Sequence, residues 1–507
     1  MISPSLASEH ASGPAPASRR ITSAALAVLI SLSFYNGSLE PFSLAAMTAA
    51  AAAVLSAALA PRWMGAPSPD QPRTWTRSML TRALAGGIAV SLALHLLLPP
   101  GFEEDWPRLT SWRPLVCVAA VLAASYGWRR SPPLLVRARF PLFLALAVVM
   151  AAAVIRAVPH PDIDVWSIQQ RAAEGLLRGA NPYTQRYPIL YPEPLRFLSK
   201  EVLSADGRSV VAYPYQPLVA ILGAGVVACL GDVRWLMLAS MLVGAVAIRR
   251  LGRGTLVAEL CAVLFLYQPR GFFVVRQSWT DPLVLAALSL TLVAAARWRE
   301  RDGTGGASWV ATGVAAGCVA ACKQYAPLFL VPLLFAVPAR GRWKAAALAL
   351  CVASATMAPF ALWSPRAFYD GVIGFQLTSP FRTDALSWLA AVAYLGGPRL
   401  PSWLSIALAL ATLAAALRPR STLSQAMTAA SAAFLVLLLL GKQAFCNYYW
   451  LAGGLLLTVL ALDSGGEAAR GGSSLEANEE PASDRPGSER SQAAGTLRVF
   501  RGSLPAR

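Results

Sequence analysis

A long series of apolar runs constrains the fold of this chain more than any other feature. Most runs hold about 15 to 20 residues, near the length that a helix needs to cross the roughly 30 Å hydrocarbon core of a bilayer. Backbone groups in lipid must be hydrogen-bonded within the protein, and the runs show no strict alternation, so we predict helices rather than a barrel. The runs are 21–35, 41–60, 79–98, 114–128, 140–157, 214–230, 235–248, 255–268, 280–296, 308–322, 328–337, 345–363, 403–417, 427–440 and 445–462.

The composition agrees with a chain that has most of its surface in lipid. Hydrophobic residues make up 56% of the 507 residues and charged residues only 14%. This composition is not typical of a protein that folds around a single water-soluble core. We therefore predict an all-α fold, a polytopic membrane helix bundle of about 13 to 16 transmembrane helices. The expected partner of this surface is the lipid bilayer.

The formal net charge of +18 does not indicate nucleic acid here, because the arginines lie between apolar runs, where the positive-inside rule expects them. Arg19 and Arg20 predict a cytoplasmic N-terminus, and the acidic residues 103–105 predict an outer loop. By the same count, the loop after residue 157 is outside the membrane. Two runs then precede the basic residues 249–253, where an odd number of spans is required, so one run dips or bends, or this loop breaks the rule.

These patterns divide the chain into five segments. We predict a cytoplasmic N-terminal segment (1–20), N-terminal transmembrane helices (21–157), an extracytoplasmic catalytic loop (158–212) and a transmembrane core (213–462). Residues 463–507 are rich in Gly, Ser, Glu, Ala and Arg and have almost no large apolar side chains, which predicts a disordered cytoplasmic tail.

The outer loop begins with two carboxylates, Asp162 and Asp164, directly after a hydrophobic run. Apolar residues from Val165 to Leu177 then recur at helical spacing, which predicts an amphipathic helix lying in the interface, and Gly179 is a typical helix end. Either Asp could simply cap this helix, which needs one acidic residue. Two carboxylates exceed that need, so we interpret the pair as functional.

Other polar residues fall on the same predicted side of the membrane. A cation at an apolar helix end is costly and needs a partner or a ligand, although each one alone could extend to the lipid headgroups. Several aromatic residues could contact a ligand or mark the membrane interface. The candidate cations are Lys323, Arg276, Arg382 and Lys442, the candidate amides are Gln277 and Gln443, and the candidate aromatics are Trp166, Tyr183, Tyr213 and Tyr215.

Several motifs together resemble the GT-C integral membrane glycosyltransferases, most closely the glycosyltransferase family 87 group of bacterial enzymes that use polyprenyl-phosphate sugars. The resemblance extends over residues 158–462 and depends on the order of the motifs. They are DVW from Asp164, RAAEGLLRGANPYT, YPYQPLVA, RQSWTDPLVL, AAGCVAACKQYAP, PFRTDALSW and KQAFCNYY.

The resemblance implies an enzyme of the bacterial cytoplasmic membrane with its active site facing outside. Asp164 matches the catalytic base, with Asp162 beside it, and the donor is a sugar such as mannose on a polyprenyl phosphate. The acceptor is the hydroxyl of a glycan or glycolipid. Direct displacement inverts the anomeric centre, and the leaving phosphate needs cations. The expected phosphate ligands are Lys323, Arg276, Arg382 and Lys442, and the expected substrate contacts are Gln277, Tyr183, Trp166, Tyr213 and Gln443.

Some alternatives remain open on the sequence alone. A divalent metal bridging carboxylate and phosphate is compatible with the residues, but no spacing demands a metal or another cofactor. The seven cysteines lie in or beside apolar runs and are expected to be small packed residues. The main competing function is a transporter or lipid flippase, which also places charges within the membrane. A non-catalytic assembly scaffold, for which Asp164 would be dispensable, is a third class.

Overall fold

Helices dominate the computed structural model, which describes residues 15–35, 38–59, 73–128, 132–301, 306–418 and 421–476. Each predicted apolar run contains a helix. The first helices are α1 (Ala15–Phe34), α2 (Pro41–Leu59), α3 (Arg73–Leu97), α4 (Trp112–Ala124), α5 (Pro133–Ala157), α6 (Asp164–Leu177), α7 (Pro217–Leu230), α8 (Arg234–Leu251), α9 (Leu256–Tyr267) and α10 (Gly271–Arg276). They are followed by α11 (Asp281–Glu300), α12 (Gly306–Ala320), α13 (Pro327–Ala336), α14 (Arg342–Trp363), α15 (Pro365–Tyr369), α16 (Phe375–Thr378), α17 (Trp388–Tyr394), α18 (Ser402–Ala416), α19 (Leu423–Leu439) and α20 (Cys446–Glu476).

The prediction of 13 to 16 spans is not confirmed. In the described residues, six helices are long and apolar enough to cross a bilayer, namely α2, α3, α5, α11, α14 and α20. Six other apolar stretches, with helices α4, α9, α12, α13, α18 and α19, are only 10–17 residues long. At 1.5 Å per residue, such helices are shorter than a core of roughly 30 Å, so an apolar run alone does not establish a span.

The two runs that follow the outer loop form a bent pair. Helices α7 and α8 pass the length and apolarity test together, but their axes differ by 108°. Gly231 stands at the break with φ +78°, a conformation that glycine adopts without steric cost. Counted as one broken span, the pair would give the odd number of crossings that the arginine pattern requires.

Both predicted terminal boundaries differ from the structure. Helix α1 already begins at Ala15, so part of the predicted N-terminal segment is helical, and residues 1–14 lie outside the described residues. The chain divides into units 1–468 and 469–507. The prediction that disorder begins at residue 463 is wrong, because α20 continues to Glu476, and the rest of the predicted tail lies outside the described residues.

The outer loop between α5 and α7 has a hydrophobic core of its own. Helix α6 ends as predicted, with Gly179 at φ +78° just beyond it, and a short antiparallel ribbon pairs β1 (Tyr187–Pro188) with β2 (Ser209–Val210). The apolar face of α6 packs inside this core. The core contains Ile168, Ala172, Tyr183, Tyr187, Leu198, Val202, Val210, Ala212, Tyr213, Ala220, Phe360 and Val372.

Two adjacent glutamines fasten α6 to the helix bundle. The Gln169 side-chain amide donates to the carbonyl oxygen of Ser278 at 2.8 Å, in the segment between α10 and α11. The Gln170 amide donates to the Gly231 carbonyl at 3.0 Å and accepts from the Val233 N–H at 2.9 Å, in the bend between α7 and α8. Because buried amides need such partners, these bonds fix the position of α6.

Arg234 ties the start of the outer loop to the same bend. Its side chain is fully buried, forms an ion pair with Asp232 and donates to the carbonyl oxygens of Ile155 and Val158, at 3.3 and 2.7 Å. Its guanidinium also lies 5.7 Å from the ring centre of Trp166 on α6. The Arg234 guanidinium thus contacts the end of α5, the bend between α7 and α8 and the first turn of α6.

We expect Arg234→Met to lower the unfolding free energy by about 3–5 kcal/mol, because it leaves a carboxylate and buried carbonyls without their donor. Thermal unfolding of the purified protein in detergent measures this. Arg366→Met is the matched control, since the Arg366 side chain is 96% exposed and a surface pair contributes about 0–1 kcal/mol. Equal midpoints for the two variants would contradict the anchoring role of Arg234.

Candidate functional site

A cavity of about 910 Å³ lies where the outer loop meets the connecting segments of the bundle. Its polar wall comes from distant parts of the chain that meet at helix ends. A cavity of this size, with a few convergent polar groups, is typical of a small-molecule site. The polar side chains on its wall include Tyr35, Asp164, Tyr191, Arg196, Tyr215, Gln277, Thr280, Lys323, Gln324, Tyr325, Gln376, Arg382, Asp384, Gln443, Asn447 and Tyr448.

Asp164, the first residue of α6, lies on the cavity wall. Its Oδ1 atom accepts hydrogen bonds from the Tyr191 hydroxyl and from the Val165 N–H, both at 2.8 Å. Loss of hydration raises the pKa of Asp164, and the bond from Tyr191 and the charge of Arg382 partly oppose this rise. A carboxylate with a raised pKa is suited to take up a proton.

Asp162 is exposed and does not line the cavity. The structure therefore separates the two carboxylates that the sequence places together. Only Asp164, at the start of the clamped helix, faces the space where a ligand could lie.

Lys323 lies between α12 and α13 and projects into the cavity beside a buried carboxylate. Its Nζ is 3.9 Å from Asp281 Oδ1 and 5.3 Å from the ring centre of Tyr448. Asp281 is fully buried and accepts from the Tyr325 hydroxyl at 2.7 Å and from Asn447 Nδ2 at 2.6 Å. This network holds Lys323 without a close ion pair and so leaves its charge available to a ligand.

Arg382 lines the cavity between two aromatic rings. Its guanidinium is 4.5 Å from the ring centre of Phe197 and 4.8 Å from that of Phe445. It also makes a two-point ion pair with Asp384, at 2.8 and 2.6 Å. Arg196, on the same wall, lies 5.6 Å from Phe197. Within the part of the chain that the structure describes, no carboxylate pairs with Arg196.

Arg276 and Lys442 do not line the cavity, so the predicted cluster of four cations is not brought together. Arg276 is buried, forms an ion pair with Asp105 at 2.5 Å and donates to the Gln277 side-chain oxygen at 2.6 Å. Lys442 Nζ donates to the carbonyl oxygen of Ser379 at 2.7 Å. Both side chains are already paired with protein groups, and both lie away from the cavity wall.

Of the predicted substrate contacts, Gln277 and Gln443 line the cavity, and Trp166, Tyr183 and Tyr213 do not. Trp166 packs beside Arg234, as described above. Tyr183 donates its hydroxyl to the Tyr215 carbonyl oxygen at 2.8 Å, and its ring meets that of Tyr213 edge to face. Both tyrosines are buried in the core of the outer loop, where no sugar ring could reach them.

Several residues on or behind the wall, among them Asp281, Tyr191 and Arg196, were not predicted from the sequence. Asp281 carried a usable signal, because an ionisable residue at the start of an apolar segment is by default a functional candidate. Tyr191 and Arg196 carried none, since they lie in a loop without periodicity. The hydrogen bond between Tyr191 and Asp164 joins residues that are not neighbours in the chain and arises only from the tertiary fold.

One side of the cavity is apolar and reaches the surface of the helix bundle. Val331 on α13 and Ile406 and Leu410 on α18 are 44%, 52% and 53% exposed. The apolar wall of the cavity therefore includes side chains that are exposed on α13 and α18. The apolar wall consists of Leu328, Val331, Ile406, Ala409, Leu410, Leu413 and Leu437.

The described residues contain no group of three or more His, Cys, Asp or Glu side chains placed to hold a metal ion. The chain matches no family model, no curated protein and no solved structure. What the site does must therefore be argued from its own residues.

We expect Asp164 to titrate above about pH 3.9, the ordinary aspartate value, and Tyr191→Phe to move its midpoint higher still, because the hydroxyl hydrogen bond favours the charged form. The carboxyl band in infrared difference spectra, identified by its loss in Asp164→Asn, measures the midpoint. Asp162→Asn is the control and should leave this band in place. An unchanged or lower midpoint in Tyr191→Phe would contradict the assigned hydrogen bond.

Proposed function

We propose that this protein is a membrane glycosyltransferase of the GT-C type that moves a sugar from a polyprenyl phosphate to an acceptor hydroxyl. The observation that carries the proposal is that Asp164, Lys323 and Arg382 line one cavity with an apolar extension. A base, cations for a phosphate and a path for an isoprenoid chain are the parts that this reaction requires.

In the proposed reaction, the acceptor oxygen attacks the anomeric carbon of the donor and its proton passes to Asp164. The bond between that carbon and the phosphate oxygen breaks, and its electron pair leaves with the polyprenyl phosphate. Lys323 and Arg382 stabilise the negative charge that develops on the leaving group. Attack from the opposite face inverts the anomeric centre, and Asp164 then releases the proton to solvent.

The ion pair between Arg382 and Asp384 gives this scheme a specific requirement. Asp384 accepts from Nε and Nη2 of Arg382, so a phosphate that binds Arg382 must use the remaining guanidinium N–H groups beside Asp384 or displace that carboxylate. The Phe197 and Phe445 rings lie against the guanidinium and keep it in place. Among the described residues, the carboxylate that pairs with Lys323 is Asp281 at 3.9 Å, so we expect Lys323 to be the first phosphate contact.

The proposed location is the bacterial cytoplasmic membrane, with the cavity opening on the outer side. The arginines between the apolar runs support this orientation through the positive-inside rule. The isoprenoid tail would lie along α13 and α18, where apolar side chains of the cavity wall face lipid. Glycan or glycolipid acceptors would reach Asp164 from the water phase through the outer loop.

We expect Asp164→Asn to lower the transfer rate by about 10²-fold to 10⁴-fold, the usual contribution of a general base, and Asp162→Asn to leave the rate nearly unchanged. Membranes containing each variant are supplied with labelled polyprenyl-phosphate mannose or arabinose, and sugar transfer to membrane acceptors is measured. The amide is isosteric with the carboxylate, so folding is preserved in both variants.

Equal transfer by wild-type protein and Asp164→Asn would refute the proposed chemistry. Movement of the labelled lipid across the bilayer without sugar transfer, by both forms, would instead favour the flippase alternative. A loss of transfer in Asp162→Asn as large as in Asp164→Asn would show that the exposed carboxylate has a role that its position does not suggest.

A further inference from the structure

Two residues that line the cavity each carry a buried polar atom without a hydrogen-bond partner in the part of the chain that the structure describes. The atoms are Asn447 Oδ1 and Thr280 Oγ1, on residues only 3% and 1% exposed. Thr280 is the residue before α11, yet its side chain makes no capping bond to that helix. Buried polar groups are normally hydrogen-bonded, so these two atoms point to a ligand.

The neighbouring carboxylate fixes which way the Asn447 amide faces. Asn447 Nδ2 donates to Asp281 Oδ2 at 2.6 Å. The reverse orientation would place the amide oxygen against a carboxylate oxygen, with no hydrogen between them. Asn447 Oδ1 is therefore a buried acceptor without a donor among the described residues.

We propose that Asn447 and Thr280 form a subsite for the transferred sugar, in which a sugar hydroxyl donates to Asn447 Oδ1 and Thr280 Oγ1 bonds to the same ring. This inference rests on the proposed function and deepens it by assigning the groups that recognise the sugar. The subsite lies next to Lys323, because Asn447 and Lys323 share Asp281 as their partner.

The chemistry of these atoms selects a sugar over the other parts of the donor. An ionised phosphate offers only acceptor oxygens and cannot satisfy Asn447 Oδ1, and an isoprenoid chain offers no polar atoms at all. A hydroxyl group can donate to Asn447 and can exchange a hydrogen bond with Thr280. A site that hydrogen-bonds a hydroxyl discriminates strongly against a ligand without it, because its own buried groups are then unpaired.

A binding experiment tests this assignment without requiring catalysis. The full chain in nanodiscs is titrated with bare polyprenyl phosphate and with polyprenyl phosphates that carry mannose, glucose, galactose or arabinose. The variants are Asn447→Leu, Thr280→Val and Lys323→Met. Thr291→Val is the matched control, because Thr291 is a buried threonine on α11 that bonds to the Ala287 carbonyl oxygen and does not line the cavity.

We expect at least one glycosylated lipid to bind the wild-type chain more tightly than bare polyprenyl phosphate. Asn447→Leu should weaken that lipid about ten-fold or more and leave the bare lipid unchanged. Thr280→Val should have the same pattern with a smaller effect, whereas Lys323→Met should weaken both lipids and Thr291→Val neither. Deoxy versions of the preferred sugar should show one hydroxyl whose loss matters in the wild type and not in Asn447→Leu.

The inference is overturned if no glycosylated lipid binds more tightly than the bare one, or if Asn447→Leu weakens both kinds of lipid equally or neither. Should Asn447→Leu fail to fold, the deoxy series on the wild-type chain decides, and equal binding of every deoxy lipid overturns the subsite. Failure of the proposed function is a separate result. If Asp164→Asn keeps full transfer while the binding pattern holds, the base is wrong and the sugar subsite stands.

Discussion

Charge within or beside a hydrocarbon layer is costly unless it is paired, and this constraint decides which groups of the site are available to a ligand. Arg276 is neutralised by Asp105, and Arg382 is held by Asp384. Within the described residues, the ion pair of Lys323 with Asp281 is long, at 3.9 Å. Lys323 is therefore the cation most available to a phosphate, whereas Arg382 lines the cavity but must share its guanidinium with Asp384.

The outer loop depends on the same principle, applied to hydrogen bonds instead of charges. Gln169 and Gln170 on α6 are fastened to the bundle, and Arg234 secures the first turn of that helix. If α6 were a free amphipathic helix, Asp164 would move with that helix relative to the bundle. Because α6 is clamped at these points, Asp164 keeps a fixed position on the cavity wall.

Much of the fold follows from local pattern. The apolar runs, the helix from Asp164 and its end at Gly179 are set by neighbouring residues, so sequence reasoning found them. Pairings such as Arg276 with Asp105 join residues far apart in the chain, and the sequence could not reveal that this cation is already occupied. The same holds for the burial of Tyr183 and Tyr213. The number of spans does not follow from the sequence, because a short apolar run has the same appearance whether or not it crosses the membrane.

The most direct measurement is an experimental structure of the protein in nanodiscs with a polyprenyl-phosphate sugar bound to the inactive Asp164→Asn variant. We expect the phosphate to lie against Lys323 and Arg382, the isoprenoid chain to lie along α13 and α18, and the anomeric carbon to face residue 164. A lipid bound on the outer surface of the bundle, with the cavity empty, would contradict it.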